Sequence, residues 1–316
     1  MATIVETHVN LLEKLRDNLE VCIHGKKMEI DLLLTALLAG GHVLIEDVPG
    51  TGKTVLIKAL AKSIQGQFRR IQCNPDLLPT DVTGVSIYHP KHESFIFRPG
   101  PVFSNILLVD EINRATTKTQ SSLLEAMEER QITVDGEGYS LPKPFLLLAT
   151  QNPIDFEGTY SLPEAQLDRF MIKLTLGYPD EKMENKMVAS QMTSSPLDEI
   201  MPVANIEEIM ALQEAARRVH IEERVINYIT AITRATRNHP AIYLGASPRA
   251  TLALVHASQA FAYLSGREYV IPDDVKYLAP YILQHRMIIH NGARLEGTSL
   301  SSVMQKIMDQ VQTPVR

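Results

Sequence analysis

The chain has 316 residues, enough for one large domain or two of ordinary size. Hydrophobic residues make up 45% and charged residues 22%, proportions that permit a sizeable core. The net charge of −6 leaves no strongly basic footprint and argues against non-specific binding of duplex nucleic acid. The two cysteines, Cys22 and Cys73, are far apart and in no metal-ligand spacing, so they read as buried reduced thiols.

Met1 to Asn10 lacks the basic-then-apolar order of a secretory leader. Leu32 to Ile45 is the longest apolar stretch, broken by Thr35, Gly40, Gly41 and His42, and is too short to span a bilayer. A cytoplasmic protein without membrane insertion is expected.

In chain order, residues 3–20 carry Val5, Val9, Leu12, Leu15 and Leu19 at helical spacing. A second helix is predicted from Met28 to Ala39, stopped by Gly40-Gly41. His42 to Glu46 has the composition of a short buried parallel strand, and a helix follows from Lys53 to Ile64. Further apolar runs are Phe68–Gln72, Ile106–Asp110, Phe145–Ala149 and Phe170–Leu174, with helical patterns between several of them, most clearly Lys118–Arg130. Strands alternating with helices imply an α/β fold, a parallel sheet covered on both faces.

Two segments depart from the alternation. Val82–Phe97 reads as two short strands around His89-Pro90, and Gln131–Pro144, containing Asp135-Gly136 and Gly138, reads as a β-hairpin. Both are expected to project from the sheet. Beyond Gly177-Tyr178-Pro179 the periodicity is helical only, over 180–193, 205–218, 222–238, 248–265, 273–290 and 299–311. Breaks fall at Thr193-Ser194-Ser195-Pro196 and Gly245. The expected organisation is an α/β domain over 1–179 and an all-α lid over 180–316.

Gly50-Thr51-Gly52-Lys53-Thr54 follows a strand and opens a helix, the context a phosphate-binding loop requires. Its glycines let successive N–H groups turn inward, and the helix N-terminus adds its positive end. Lys53 is placed to reach the β- and γ-phosphates of ATP, and Thr54 to ligate Mg²⁺. Val48, Pro49 and Val55 complete the candidate nucleotide-binding segment. Asp47 stands where the strict pattern has glycine, which leaves a Gly-rich turn with an exposed lysine as the alternative.

The strand Ile106–Asp110 ends in Asp110-Glu111, at the sheet edge where α/β proteins bind ligands. Phosphoryl transfer is mostly positioning plus charge stabilisation. Asp110 is assigned to Mg²⁺ and Glu111 to the attacking water; the alternative is a solvated acidic turn. The strand Phe145–Ala149 runs into Thr150-Gln151-Asn152-Pro153, where Asn152 would sit beside the γ-phosphate, or form an ordinary Asn-Pro turn.

Six segments together resemble the MoxR family of AAA+ ATPases over most of the chain: His42–Thr54, Asp110–Ala115, Thr119–Met127, Ala149–Pro153, Glu157–Tyr160 and Leu162–Phe170. Asp47 in place of glycine is usual in that family. The resemblance implies a P-loop AAA+ domain with a helix-2 insert over 79–100, a hairpin before sensor 1 over 131–144, and a helical lid. It implies that Asp110 and Glu111 are the Walker B pair, Asn152 sensor 1, Arg169 an arginine finger and Arg249 sensor 2. Arg114 is a further candidate between subunits, and Ile23 and Gly25 resemble adenine-contacting positions. It also implies a homo-oligomeric ring, usually a hexamer, that uses ATP to remodel or activate client proteins, often presented by partners with a von Willebrand factor A domain.

A finger supplied in trans stabilises charge on the γ-phosphoryl group. Arg169 could instead pair with Asp168 or Glu164, and Arg249 could lie on the solvent face of a helix that begins at Pro248. Competing functions are the motor subunit of a metal chelatase, a non-hydrolysing ATP-binding scaffold and a DNA-processing motor. Ile112-Asn113-Arg114-Ala115 favours the MoxR side over the first, Glu111 and Asn152 weigh against the second, and the acidic net charge against the third. His89 and His92 flank Pro90 and read as a solvated loop, not a metal site. Glu125, Glu128 and Glu129 read as a solvated helix face, and the tyrosines concentrated beyond residue 227 as lid core.

Overall fold

The computed structural model describes residues 4–152, 160–192 and 195–314. Pro153, Glu157, Gly158 and Thr159, and the predicted break at Thr193-Ser194, lie outside the described residues.

The N-terminal half contains α1 (Ile4–Cys22), α2 (Lys27–Ala39), β1 (Val43–Glu46), α3 (Lys53–Ser63), β2 (Phe68–Gln72) and α4 (Pro79–Thr83). The insert strands β3 (Gly84–His89) and β4 (Ser94–Pro99) follow, then β5 (Ile106–Asp110) and α5 (Thr117–Glu129). The second hairpin is β6 (Gln131–Val134) with β7 (Glu137–Ser140), followed by β8 (Leu146–Gln151), α6 (Glu164–Leu167) and β9 (Ile172–Leu174). The C-terminal half holds α7 (Glu181–Gln191), α8 (Pro196–Glu199), α9 (Ile206–Arg217), α10 (Glu223–Asn238), β10 (Ile242–Leu244) and α11 (Pro248–Leu264). It ends with α12 (Pro272–Leu283), β11 (Ile288–Ile289), α13 (Asn291–Leu295) and α14 (Leu300–Gln310).

The central sheet has the order β2-β5-β8-β1-β9 and is parallel throughout. Its register aligns Val43 with Leu148 and Ile172, Leu108 with Leu148, and Gln72 with Asp110. The three inner strands are apolar almost throughout because both faces are covered. Successive residues alternate between two cores, as the two-residue period of a strand requires. Val43, Ile45, Ile106, Leu108, Leu146 and Leu148 pack with α1–α3 and the C-terminal helices. Leu44, Leu107, Val109, Leu147 and Ala149 pack with α5 and the hairpin residue Ile132. Strand β2, at an edge, buries only Ile71 fully and carries polar Arg69, Arg70 and Gln72.

The first core does not stop at the proposed domain boundary. α2 lies against α9 and α11, so the two N-terminal helices share one apolar interior with the C-terminal ones. Both cysteines are free and buried, and burial pushes the thiols up, Cys22 to about 11 and Cys73 to about 12.

Both hairpins are present. In β6–β7, Asp135 and Gly136 take positive φ (52° and 85°), as a tight hairpin turn demands. In the β3–β4 turn His89 and His92 have ring centroids 4.6 Å apart, so they are neighbours although they share no helix.

One expectation needs correction. The pattern over 273–290 is not a single helix. α12 stops at Leu283, a 3₁₀ turn covers Gln284–Arg286, and β11 pairs antiparallel with β10, so the helical half also contains a two-stranded ribbon. The cause is tertiary: His285 and the buried Arg286 both bond the Phe170 carbonyl, at 2.9 and 2.6 Å, which turns the chain out of the helix.

Candidate nucleotide site

β1 ends at Glu46 and the loop that follows opens onto a cleft of about 230 Å³ at the C-terminal edge of the sheet. Gly50 and Gly52 take φ of 85° and 89°, which only glycine adopts without strain. A Cβ on Gly52 would lie 2.9 Å from Ile23 Cδ1, the far end of a side chain that would have to shift to admit it. Ile23 therefore packs on the phosphate loop, and Gly25 packs on Met183 of α7.

Lys53, the first residue of α3, folds back over the loop. Its ammonium donates to the Val48 carbonyl at 2.6 Å and lies 3.4 Å from the Asp47 carbonyl and 3.5 Å from Thr51 Oγ1. Main-chain carbonyl oxygens thus hold the ammonium against the loop. Pro49, Thr51, Thr54 and Val55 line the same cleft.

The opposite wall is the end of β5. Asp110 accepts from Arg70 Nη2 at 2.6 Å and from Thr150 Oγ1 at 2.5 Å. Glu111 accepts from Gln72 Nε2 at 2.9 Å, and Arg114 Nε lies 3.3 Å from it. The Glu111 backbone sits in the left-handed region (φ 55°), unusual for a side chain of this kind. Its N–H is held by Thr150 Oγ1 at 2.9 Å. Thr150 therefore bridges both carboxylate residues from β8, and Asn152, two residues on, lines the cleft beside them. The charges of Asp110 and Glu111 add to burial in holding the Cys73 thiol protonated, so it offers no nucleophile here.

Thr54 and Asp110 supply a hydroxyl and a carboxylate to one cleft, the hard oxygen donors that Mg²⁺ takes. Among the described residues no group of three or more His, Cys, Asp or Glu could hold a metal. An ion here would therefore complete its shell with phosphate oxygens and water, as Mg²⁺ usually does.

Arg169 and Arg249 are not among the residues that line the cleft. They meet elsewhere. Both guanidinium groups pair with the Glu128 carboxylate in the last turn of α5, and Arg249 Nη1 lies 3.8 Å from Asp168. Arg169 also donates to the Leu124 carbonyl at 3.2 Å. Ser247, the N-cap of α11, donates to both Asp168 oxygens at 2.9 Å and so anchors the helix that carries Arg249.

This cluster lies at the N-terminal edge of the sheet. Met171, two residues after Arg169, bonds the His42 carbonyl just before β1 begins. The four residues of β1 separate that edge from the phosphate loop by ~13 Å at ~3.3 Å per residue. Glu128 stays exposed on the helix face, as the sequence suggested, and from there it holds two arginines. Arg169 pairs with it and not with Asp168 or Glu164.

Sequence reasoning singled out neither Gln72 and Arg70, which hold the acidic pair, nor Thr150, which bridges it. Its one available signal was the polar interruption of β2. Gln72 lies in register with Asp110, a fact only the sheet order supplies.

Residues 42–172 match the model of the ATPase family associated with various cellular activities (AAA), and residues 234–307 match the AAA lid domain. The chain is 50% identical to "Uncharacterized protein YeaC" of Bacillus subtilis over 97% of this chain and 96% of that one. It is 38% identical to "Chaperone MoxR1" of Mycobacterium tuberculosis, covering 97% of this chain and 83% of that one. A solved structure of a proposed ATPase from Cytophaga hutchinsonii superposes with a TM-score of 0.92 at 37% identity, over 98% of this chain and 97% of that one. No helix among the described residues is long and apolar enough to cross a membrane.

Proposed function

The chain belongs to the MoxR family of AAA+ ATPases, and on that premise we propose that it hydrolyses ATP at sites shared between the subunits of a ring, and uses the resulting conformational change to remodel or activate partner proteins. The observation that carries this reading is the separation of parts. Lys53, Thr54, Asp110, Glu111 and Asn152 face one cleft, whereas Arg169 and Arg249 gather on Glu128 at the far edge of the same sheet. A γ-phosphate in the cleft lies beyond the reach of its own chain's two arginines. A neighbour that places its N-terminal sheet edge against the cleft supplies them, in a head-to-tail contact of the kind that closes into rings. A hexamer is the expected ring.

In this reading Lys53 exchanges the Val48 carbonyl for the β- and γ-phosphates, and the N–H groups of residues 50–54 cradle them. Thr54 and Asp110 would hold Mg²⁺, which neutralises phosphate charge. Glu111 orients and polarises the attacking water, and Asn152 contacts the water or the γ-phosphate. The neighbour's Arg169 stabilises charge on the γ-phosphoryl group during transfer, and Arg249, beside it, acts in trans with it. Ile23 and Gly25 border the base. Arg114, next to Glu111, is available to the interface. The lid, beginning near residue 180, moves with nucleotide state, and the partners are a client protein and a von Willebrand factor A domain protein that presents it.

The test is ATPase rate against protein concentration for wild type and Arg169→Ala. Shared sites give a rate per subunit that climbs steeply with concentration and is lost in the variant. A flat rate that survives the substitution would require the ring reading to be withdrawn.

A further inference from the structure

Asp47 is the residue that departs from the strict phosphate-loop pattern, and its side chain does something a glycine cannot. The residue is buried, 5% exposed. It accepts three main-chain N–H bonds: from Val48 at 2.8 Å, from Leu176 at 3.0 Å and from Gly177 at 2.9 Å. A carboxylate buried this deeply is expensive unless fully hydrogen-bonded, and these donors satisfy it. Two of the three belong to the segment that leaves β9 for the lid.

The same segment is gripped from its other side. Lys26, in the turn between α1 and α2, donates to the Leu176 carbonyl and lies 3.3 Å from the Tyr178 carbonyl. Glu29 lies 3.7 Å from that ammonium. Between the two grips Gly177 takes φ of 64°, a conformation suited to a hinge. Four residues further on α7 begins, and its Met183 rests on Gly25.

The loop end of this arrangement touches Lys53, whose ammonium is bonded to the Val48 carbonyl and approaches that of Asp47. We propose that Asp47 is a positioning residue that couples the phosphate loop to the lid. When phosphate takes Lys53 away from the Asp47-Val48 carbonyls, the loop resettles, and the Asp47 carboxylate carries that shift to Leu176 and Gly177, and so to α7. This rests on the nucleotide-binding reading of the cleft but not on hydrolysis.

The experiment is amide hydrogen exchange on the full chain, without nucleotide and with saturating ADP, for wild type, Asp47→Gly and Asp47→Asn. Glycine is the residue the strict loop pattern carries, so ADP should still bind Asp47→Gly, within about threefold of wild type. Wild type should show exchange at Leu176, Gly177 and α7 that changes with ADP. In Asp47→Gly exchange at Leu176 and Gly177 should be faster by about tenfold or more, the factor one charge-assisted hydrogen bond sets. The response of α7 to ADP should be gone. Asp47→Asn keeps one acceptor oxygen and should retain part of the response; if Asp47→Gly does not fold, loss of most of the α7 response in Asp47→Asn carries the test. An α7 that responds in the variants as in wild type overturns the proposal, as does ADP binding that fails in step with the response. Wild-type turnover with no ADP-dependent exchange sinks the coupling and leaves the ATPase reading. ADP-dependent exchange with no turnover does the reverse.

Discussion

Arg169→Ala separates two magnitudes that a purely structural role would keep together. In the isolated subunit Arg169 makes a partly exposed ion pair with Glu128, the two side chains being 29% and 35% accessible. Pairs of this kind contribute ~0.2–1 kcal/mol once screening is counted, and Glu128 keeps Arg249 when Arg169 is removed. The expected loss of thermal stability is therefore only a few degrees. An arginine finger acting on a γ-phosphoryl group contributes ~10³-fold or more to turnover. The variant should fold, bind ATP with near wild-type affinity and hydrolyse it at least ~10³-fold more slowly. Mixing it with Lys53→Ala protein tests the trans geometry. Each productive site needs an intact phosphate loop on one side and an intact Arg169 on the other, so equal random mixing restores about a quarter of wild-type turnover per subunit in a closed ring. Steady-state phosphate release across mixing ratios is the assay. No recovery at any ratio, or an unmixed variant with wild-type turnover, refutes the reasoning.

Glu111→Gln keeps the shape of the site and the partner at Gln72 while removing the water-polarising charge; it should retain ATP and trap the assembled form, visible by light scattering, and a monomer that binds no ATP speaks against the role. Arg249→Ala should lower turnover by ~10²-fold or more with ATP affinity preserved, since its guanidinium lies beside Arg169 and away from its own cleft; a loss confined to ATP affinity places it in cis. Gly52→Ala places a Cβ 2.9 Å from Ile23 Cδ1 at a φ of 89°, and should weaken ADP binding by about tenfold or more in a titration, against little change for Gly292→Ala, whose Cβ meets nothing within 4 Å. Burial, and then the charge of Arg130, holds His42 well below its ordinary range, and burial with Arg286 lowers His285 to about 3. Both are neutral in the folded chain while the unfolded chain takes up protons near pH 6.5, so stability falls as pH drops below 6.5, by up to ~1.4 kcal/mol per pH unit for each histidine. Urea unfolding between pH 7 and 5 should show that slope reduced by about one proton in His285→Gln; an unchanged slope removes His285 from the account.

Local order was legible from residue types alone. The loop at Gly50–Thr54 reads from its glycines and lysine because backbone sterics and a phosphate's need for N–H donors act over a few consecutive residues. The parallel sheet reads from apolar runs, because strands covered on both faces have no polar side to show. The long helices of the C-terminal half read from their period; the short α8 and α13 and the ribbon β10–β11 did not, and the predicted helix over 273–290 stops at Leu283, where His285 and Arg286 bond the distant Phe170 carbonyl.

Tertiary structure decided which distant residues meet. Gln72 reaches Glu111 because β2 and β5 are neighbours in the sheet. Glu128 gathers Arg169 and Arg249 because α5, the turn before β9 and the start of α11 converge at one sheet edge. Asp47, in sequence only a departure from a motif, bonds residues about 130 positions away. The physical reason is the same each time: a hydrogen bond or ion pair is set by distance in space, and chain spacing controls that distance only within a turn, a helix or a strand.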